Sequence, residues 1–137
     1  IIKQGIRINI LGDIKKFSSD LKFILKKSAN TTKNNKKIIV NLAINYGSKL
    51  EIFNALKKVK NKLSVQNFEK NLYTNKMPYP DILIRTGGYQ RLSNFLLWQL
   101  AYTELFFLKK LWPDFNSKDL SRIIKRYKYI KRNYGNI

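Results

Sequence analysis

The stretch YPDILIRTGGYQRLSNFLLWQLAYTE, Tyr79 to Glu104, decides the fold. A short apolar run, Ile82-Leu83-Ile84, ends in Arg85, and Gly87 and Gly88 follow at once. Arg91 and Ser93 come next, ahead of a strongly apolar segment. The pattern predicts a strand, a glycine turn and the start of a helix, with two guanidiniums and a hydroxyl gathered at the junction. Unpaired N–H groups and the positive end of a helix dipole would meet there, which suits an anion. Arginine usage sharpens the point. Of 28 basic residues only 6 are arginine, and two of those stand within this one turn. Arginine, unlike lysine, offers a planar fork for bidentate contact with phosphate oxygens. The expectation is a phosphate or diphosphate site.

At 137 residues the chain suits one domain with a real core, and with 44% apolar and 13% aromatic residues it is globular. Cysteine is absent, so disulfides and thiolate metal sites are excluded and an intracellular, cytoplasmic setting is expected. Histidine is absent too, which removes the commonest general base; any metal must be held by oxygen, as magnesium is. No apolar run approaches the roughly 18 residues of a membrane span. The net charge of +20 admits nucleic acid, anionic lipid or a polyanionic substrate as partner, or simply lysine-coated solvated faces.

Taken in order, Ile6–Leu11 alternates and then runs apolar, as a strand closed by Gly12-Asp13 does. Ser18 or Ser19 caps a helix whose stripe is Leu21, Ile24 and Leu25. Ser28 to Lys37 is polar and aperiodic, hence a loop. Ile38–Ile44 is β-branched and nearly continuous, as a strand covered on both faces. Ser48 and Glu51 form the S-x-x-E of a capping box before Ile52, Ala55, Leu56, Val59 and Leu63, and a shorter helix spans Val65 to Leu72. Phe95 to Leu108 is apolar on every side; a break near Glu104 leaves Leu105–Leu108 as a short strand. Ser117 opens a last amphipathic helix with Leu120, Ile123, Ile124, Tyr127, Ile130 and Tyr134 inward and Gly135 at its end. Strands alternating with helices predict an α/β fold: a mostly parallel sheet flanked by helices. Gly12-Asp13, Asn45-Tyr46-Gly47 and Arg85 to Gly88 all follow strands and are expected along one ligand rim.

Arg85, Arg91 and Ser93 are the strongest candidates for a diphosphate clamp. Glu104, one of three glutamates, ends an apolar segment and needs either a metal or a structural ion pair. Asp81 is expected to cap or make a turn. Trp98, Tyr102, Phe106, Phe107 and Trp112 could line an apolar cavity, though core packing is the expectation for most.

PDILIRTGGYQRLSNFLLWQLAYTELFF, followed by LWPDF, closely resembles the carboxyl-terminal signature of the cis-prenyltransferases, the undecaprenyl diphosphate synthase family. The likeness continues through IRINILGDIKKF and NLAINYGSKLEI and so covers nearly the whole chain. It implies condensation of isopentenyl diphosphate with an allylic prenyl diphosphate to give cis-polyprenyl diphosphate. It further implies that Arg85, Arg91, Leu92 and Ser93 bind isopentenyl diphosphate, that Glu104 binds magnesium, and that the enzyme is a homodimer. No catalytic residue is assigned within the chain. Tyr89 departs from the pattern, since the family usually carries glutamate after the two glycines. Nothing resembles the family's D-G-N-G-R-W segment, whose aspartate handles the allylic diphosphate. The expectation is therefore that 1–137 form a single partial domain, the carboxyl-terminal part of the fold.

A non-catalytic prenyltransferase-like subunit is the alternative that Tyr89 and the missing segment motivate. A basic nucleic-acid-binding domain ranks last, because the aromatic residues sit in apolar runs rather than among the lysines. No nucleic acid is expected as partner, whereas peripheral association with an anionic membrane fits the charge.

Overall fold

The computed structural model describes residues 4–60 and 62–132. Two compact units make up the chain, Ile1–Lys76 and Met77–Ile137. The first contains β1 (Ile6–Leu11), α1 (Ser19–Thr32), β2 (Ile38–Ala43), α2 (Ser48–Lys57) and α3 (Val65–Glu69). The second contains β3 (Ile82–Arg85), β4 (Glu104–Phe107), a 3-10 turn at Trp112–Asp114 and α4 (Ser117–Lys128).

In the first unit β1 and β2 pair in parallel, from Ile6 opposite Ile38 to Leu11 opposite Ala43. A parallel pair needs a crossover, and α1 supplies it. Its N-cap is Ser18, whose hydroxyl accepts from Leu21 N. The helix runs on into the expected loop, to Thr32. Tertiary bonding explains the extension. The Thr32 hydroxyl donates to Ser28 O at 2.8 Å and accepts from the β1 amide of Ile8 at 3.0 Å. A polar residue thus ends up buried where the sequence suggested solvent.

β1 ends at Gly12, where the chain passes close to the residue after β2. The glycine's φ is +107°, and an added Cβ would stand 2.3 Å from Ile44 O. Beyond it Asp13 N donates to Asn45 O and the Asn45 side-chain amide to Asp13 O at 2.7 Å. The loops after β1 and β2 therefore do meet at the carboxyl ends of their strands.

Covering of β2 on both faces is not observed: all six of its residues are exposed. Its one strand partner among the described residues is β1, and Leu21 and Ile24 of the expected α1 stripe are exposed as well. The core of this unit lies elsewhere, where Ala55, Phe68 and Leu72 pack with Ile52 and Val59. α2, α3 and the residues just after each bring these side chains together. The capping box at Ser48 does not form. Gly47 is the N-cap, without a side-chain bond, and Ser48 is fully buried inside the first turn. Glu51 instead turns inward, accepting from the Tyr46 hydroxyl and from Tyr73 N. A buried carboxylate demands such donors, and it obtains them from tertiary neighbours rather than from its own helix end. α2 stops at Lys57, leaving Leu63 outside it and exposed.

The second unit pairs β3 with β4 in parallel, Ile82 opposite Glu104 through Arg85 opposite Phe107. The short strand thus starts at Glu104, one residue earlier than expected. α4 opens at Ser117, as expected, and is capped by Asn116; Asn116 and Asp119 exchange bonds in a capping box. Ile123 is buried, while Leu120 and Ile124 remain partly exposed. Tyr134 and Gly135, expected at the end of this helix, lie outside the described residues.

Glycine geometry yields a paired expectation. Gly87 also has a positive φ, +89°, but a Cβ there would meet nothing within 4 Å. Gly12→Ala combines left-handed backbone strain with a collision against a carbonyl and should cost more than about 2 kcal/mol. Gly87→Ala meets strain alone and should cost about 1–2 kcal/mol. Urea unfolding of both variants checks the order; equal losses would contradict it.

Candidate functional site

β3 ends in Arg85, and everything after it depends on how that end is held. Leu108 N donates to Arg85 O at 2.8 Å, Gly88 N to Leu108 O at 2.8 Å and Gly87 N to Lys110 O at 2.7 Å. Where the paired strands end, these backbone bonds hold both glycines against residues 108–110. Their left-handed φ values, +89° and +81°, let the chain leave the strand while keeping those bonds. One expectation is overturned here. The glycine amides are not unpaired donors waiting for an anion, because carbonyls of the neighbouring segment take them.

Nor does a helix begin at Ser93. Residues 86–103 contain turns but no helix, and Ser93, Asn94 and Leu96 have φ of 49°, 62° and 46°. An all-round apolar segment becomes helical when packing rewards it on every side. In this chain Phe95, Leu97 and Trp98 each keep about a third of their surface in solvent, and Tyr102 more. With Gln99 and Leu100 buried but these neighbours half-open, residues 93–102 stay in turns, and the helix dipole expected at Ser93 does not form.

What remains is a side-chain site. The Arg85 guanidinium reaches across the turn, donating from Nη1 to Ser93 Oγ at 3.0 Å and to the Arg91 carbonyl. Arg85 so ties the start of the loop to its end. The Arg91 guanidinium carbon lies 4.0 Å from the Tyr89 ring centroid, in cation–π range. Leu83, Ile84, Arg85, Arg91, Leu92, Ser93 and Phe95 line a cavity of about 280 Å³. All four residues expected to bind substrate therefore border one cavity, whose lining combines two cations and a hydroxyl with apolar groups. The ion pairs among the described residues use Lys110, Arg122 and Arg132, and leave Arg85 and Arg91 without a carboxylate. Such a lining suits a small amphiphile with an anionic head.

Glu104 opens β4 opposite Ile82, half-buried, with its amide on Asp81 O at 3.0 Å. No ion pair among the described residues involves its carboxylate, so the structural-pair alternative finds no support. Among the described residues no group of three acidic side chains forms a metal cage. A single hard oxygen donor fits an ion such as magnesium, which keeps waters and draws ligands from phosphates rather than from an all-protein shell.

Asp81 makes neither cap nor turn alone. Its Oδ1 accepts from Arg132 Nη1 at 2.9 Å and from the Tyr127 hydroxyl at 3.1 Å, while Arg132 Nη2 donates to Tyr102 O. This network fastens the start of β3, the turn segment, α4 and the residues after it to one another. The hydrogen bond from Arg132, and then that from Tyr127, holds the Asp81 carboxyl below its ordinary value. Asp119 is lowered likewise, chiefly by Lys110, which donates to both its oxygens. Sequence reasoning missed Arg132, Lys110 and Asp119. The scarcity of arginine, only 6 in the chain, is the signal that could have found Arg132. Of the aromatic residues expected in the core, Phe106 is buried, whereas Tyr102 and Trp112 are largely exposed.

The family model described as "Putative undecaprenyl diphosphate synthase" matches residues 1–135. An isoprenyl transferase of Oceanobacillus iheyensis is 40% identical over 147 residues, covering 100% of this chain and 58% of that protein. A ditrans,polycis-undecaprenyl-diphosphate synthase of Haemophilus influenzae is 41% identical over 143 residues, covering 97% of this chain and 60% of its own length. The chain thus spans about three fifths of the curated relatives it matches. Among solved structures, lavandulyl diphosphate synthase from Lavandula x intermedia, in complex with dimethylallyl diphosphate, superposes with a TM-score of 0.91. It is 33% identical and matched over 98% of this chain and 62% of its own. A probable undecaprenyl diphosphate synthase from Campylobacter jejuni gives a TM-score of 0.89 at 34% identity, over 98% and 65% of the two chains. The α/β expectation is borne out.

The Asp81 network carries a pH signature. A carboxyl whose folded pKa lies below its ordinary value of 3.8 adds stability that is complete above that value. That stability is lost as pH falls through the lower folded pKa. Urea midpoints should therefore fall below about pH 4, and Asp81→Asn should flatten this acid limb and lower neutral stability by the same amount, a small one because Asp81 is exposed. An acid limb identical in the variant would exclude the role.

Proposed function

The chain belongs to the undecaprenyl diphosphate synthase family, and on that premise we propose that it supplies the isopentenyl diphosphate site of a cis-prenyltransferase. The observation that carries the reading is the cavity at the end of β3, where Arg85 and Arg91 share a lining with apolar Leu83, Ile84, Leu92 and Phe95. The proposed reaction joins isopentenyl diphosphate to an allylic prenyl diphosphate. A carbon–carbon bond forms at the allylic carbon, its bond to oxygen breaks so that diphosphate leaves, a proton is lost from the isopentenyl unit, and the new double bond is cis.

Each residue has a physical task in this proposal. Arg91, with no carboxylate partner among the described residues, pairs with diphosphate oxygens by charge-assisted bonds. Arg85 holds Ser93 Oγ and the Arg91 carbonyl, so that hydroxyl and guanidinium meet one ligand from a restrained loop. Leu92 and the apolar wall receive the isopentenyl carbons. Glu104 would hold magnesium, which neutralises diphosphate charge when bound. A homodimer completes the proposal. Leu97, Trp98, Tyr102 and Leu105, close to Glu104 in the chain, lie partly exposed, as an apolar surface awaiting a second copy would.

Among the described residues no helix is long and apolar enough to cross a membrane. With a net charge of +20, a cytoplasmic protein resting peripherally on anionic lipid is the placement we propose. Co-sedimentation with anionic vesicles that does not weaken with salt would remove that placement.

Calorimetric titration with isopentenyl diphosphate tests the site. Arg91→Ala should weaken binding by about 10- to 100-fold, the worth of a lost charge-assisted contact, with an unchanged circular dichroism spectrum. Glu104→Gln should spare metal-free binding and abolish its enhancement by magnesium. Unchanged affinity in Arg91→Ala would overturn the proposal.

A further inference from the structure

Resting on the diphosphate reading above, we propose that Tyr89 is a positioning residue that holds Arg91 by its ring face and so keeps every Arg91 N–H available to the ligand.

Tyr89 does not line the cavity, whereas Arg91 does. Its ring reaches the site only through the guanidinium stacked 4.0 Å from its centroid. The base of that ring is fixed. Gly88, immediately before it, is bonded through its amide to Leu108 O and turns the chain at φ +81°. Residues 89–92, by contrast, belong to no strand or helix, so little else directs the long Arg91 side chain. Its backbone carbonyl is bound by Arg85, but the guanidinium has no ion pair among the described residues.

The chemistry of the restraint matters. A guanidinium carries five N–H donors, all in its plane. A carboxylate beside it would take two of them and cancel the charge. An aromatic ring binds the face instead, leaving the edge and the full positive charge for a diphosphate. Restraining the side chain in advance also reduces the freedom lost on binding. Glutamate, usual after the two glycines by family resemblance, would hold Arg91 by competing with the ligand; tyrosine holds it without competition.

Titration of the full chain with isopentenyl diphosphate, and separately with inorganic diphosphate, tests the proposal in Tyr89→Leu, Tyr89→Phe, Arg91→Met and the Leu/Met double variant. Exposed cation–π pairs imply that Tyr89→Leu weakens both ligands by about 2- to 5-fold, while Tyr89→Phe keeps wild-type affinity. In the Arg91→Met background Tyr89→Leu should add nothing, since its effect passes through Arg91. Wild-type affinity in Tyr89→Leu, or equal losses in the Leu and Phe variants, would overturn the positioning role and leave the diphosphate site standing. Undiminished binding in Arg91→Met would instead overturn the site itself. Tyr89 is 56% exposed and outside regular structure, so circular dichroism should show all four variants folded.

Discussion

The backbone hydrogen bonds that tie the turn after β3 to the segment after β4 are the constraint on which the second unit depends. Strands as short as Ile82–Arg85 and Glu104–Phe107 would make a weak pair alone. Bonds from Leu108 to Arg85, from Gly88 to Leu108 and from Gly87 to Lys110 brace it where the strands end. These bonds occupy the glycine amides that a phosphate-binding loop would leave open. The backbone N–H groups at the two glycines therefore cannot meet an anion. In exchange, Arg85 is launched from a fixed point and can bridge to Ser93 and Arg91. In the proposed site, anion recognition falls to guanidiniums rather than to the backbone.

The charge distribution follows the same logic. Eight acidic residues serve a chain with 28 basic ones. Asp81 and Asp119 are committed to Arg132 and Lys110, and Glu51 is buried against Tyr46 and Tyr73. Carboxylates are thus used as internal fasteners, and the arginines at the end of β3 keep their positive field. Lysines scattered over the surface contribute to the total but not to the geometry. Total charge speaks to which surfaces the protein meets; the two guanidiniums speak to the ligand.

Much of this architecture is legible in the sequence alone. β-branched runs at Ile6–Leu11 and Ile38–Ala43, and the Ile82–Ile84 run ending in arginine, mark strands because their side chains have few other uses. The concentration of arginine marks the site. Other features depend on partners that lie far off in sequence. Thr32 extends α1 because the Ile8 amide offers it a bond, and Glu51 leaves its helix end because Tyr46 and Tyr73 are nearer donors. Residues 95–103 have every local mark of a buried helix, yet they lie in turns, with Gln99 and Leu100 buried and Phe95, Leu97 and Trp98 about a third exposed. Periodicity describes what a segment can bury, not what is present to bury it. Family resemblance adds what neither periodicity nor charge contains, namely the proposal of an isopentenyl group behind the diphosphate.

Recognition of an anionic ligand by arginine side chains at the end of β3, with the glycine amides kept on the carbonyls of Leu108 and Lys110, is open to direct test. Two-dimensional ¹⁵N NMR during titration with isopentenyl diphosphate provides it. The expected result is that the Nε–Hε resonances of Arg85 and Arg91 shift with ligand, while the amides of Gly87 and Gly88 remain slow to exchange and nearly unmoved. Large shifts and faster exchange at Gly87 and Gly88, with both arginine resonances unchanged, would contradict it.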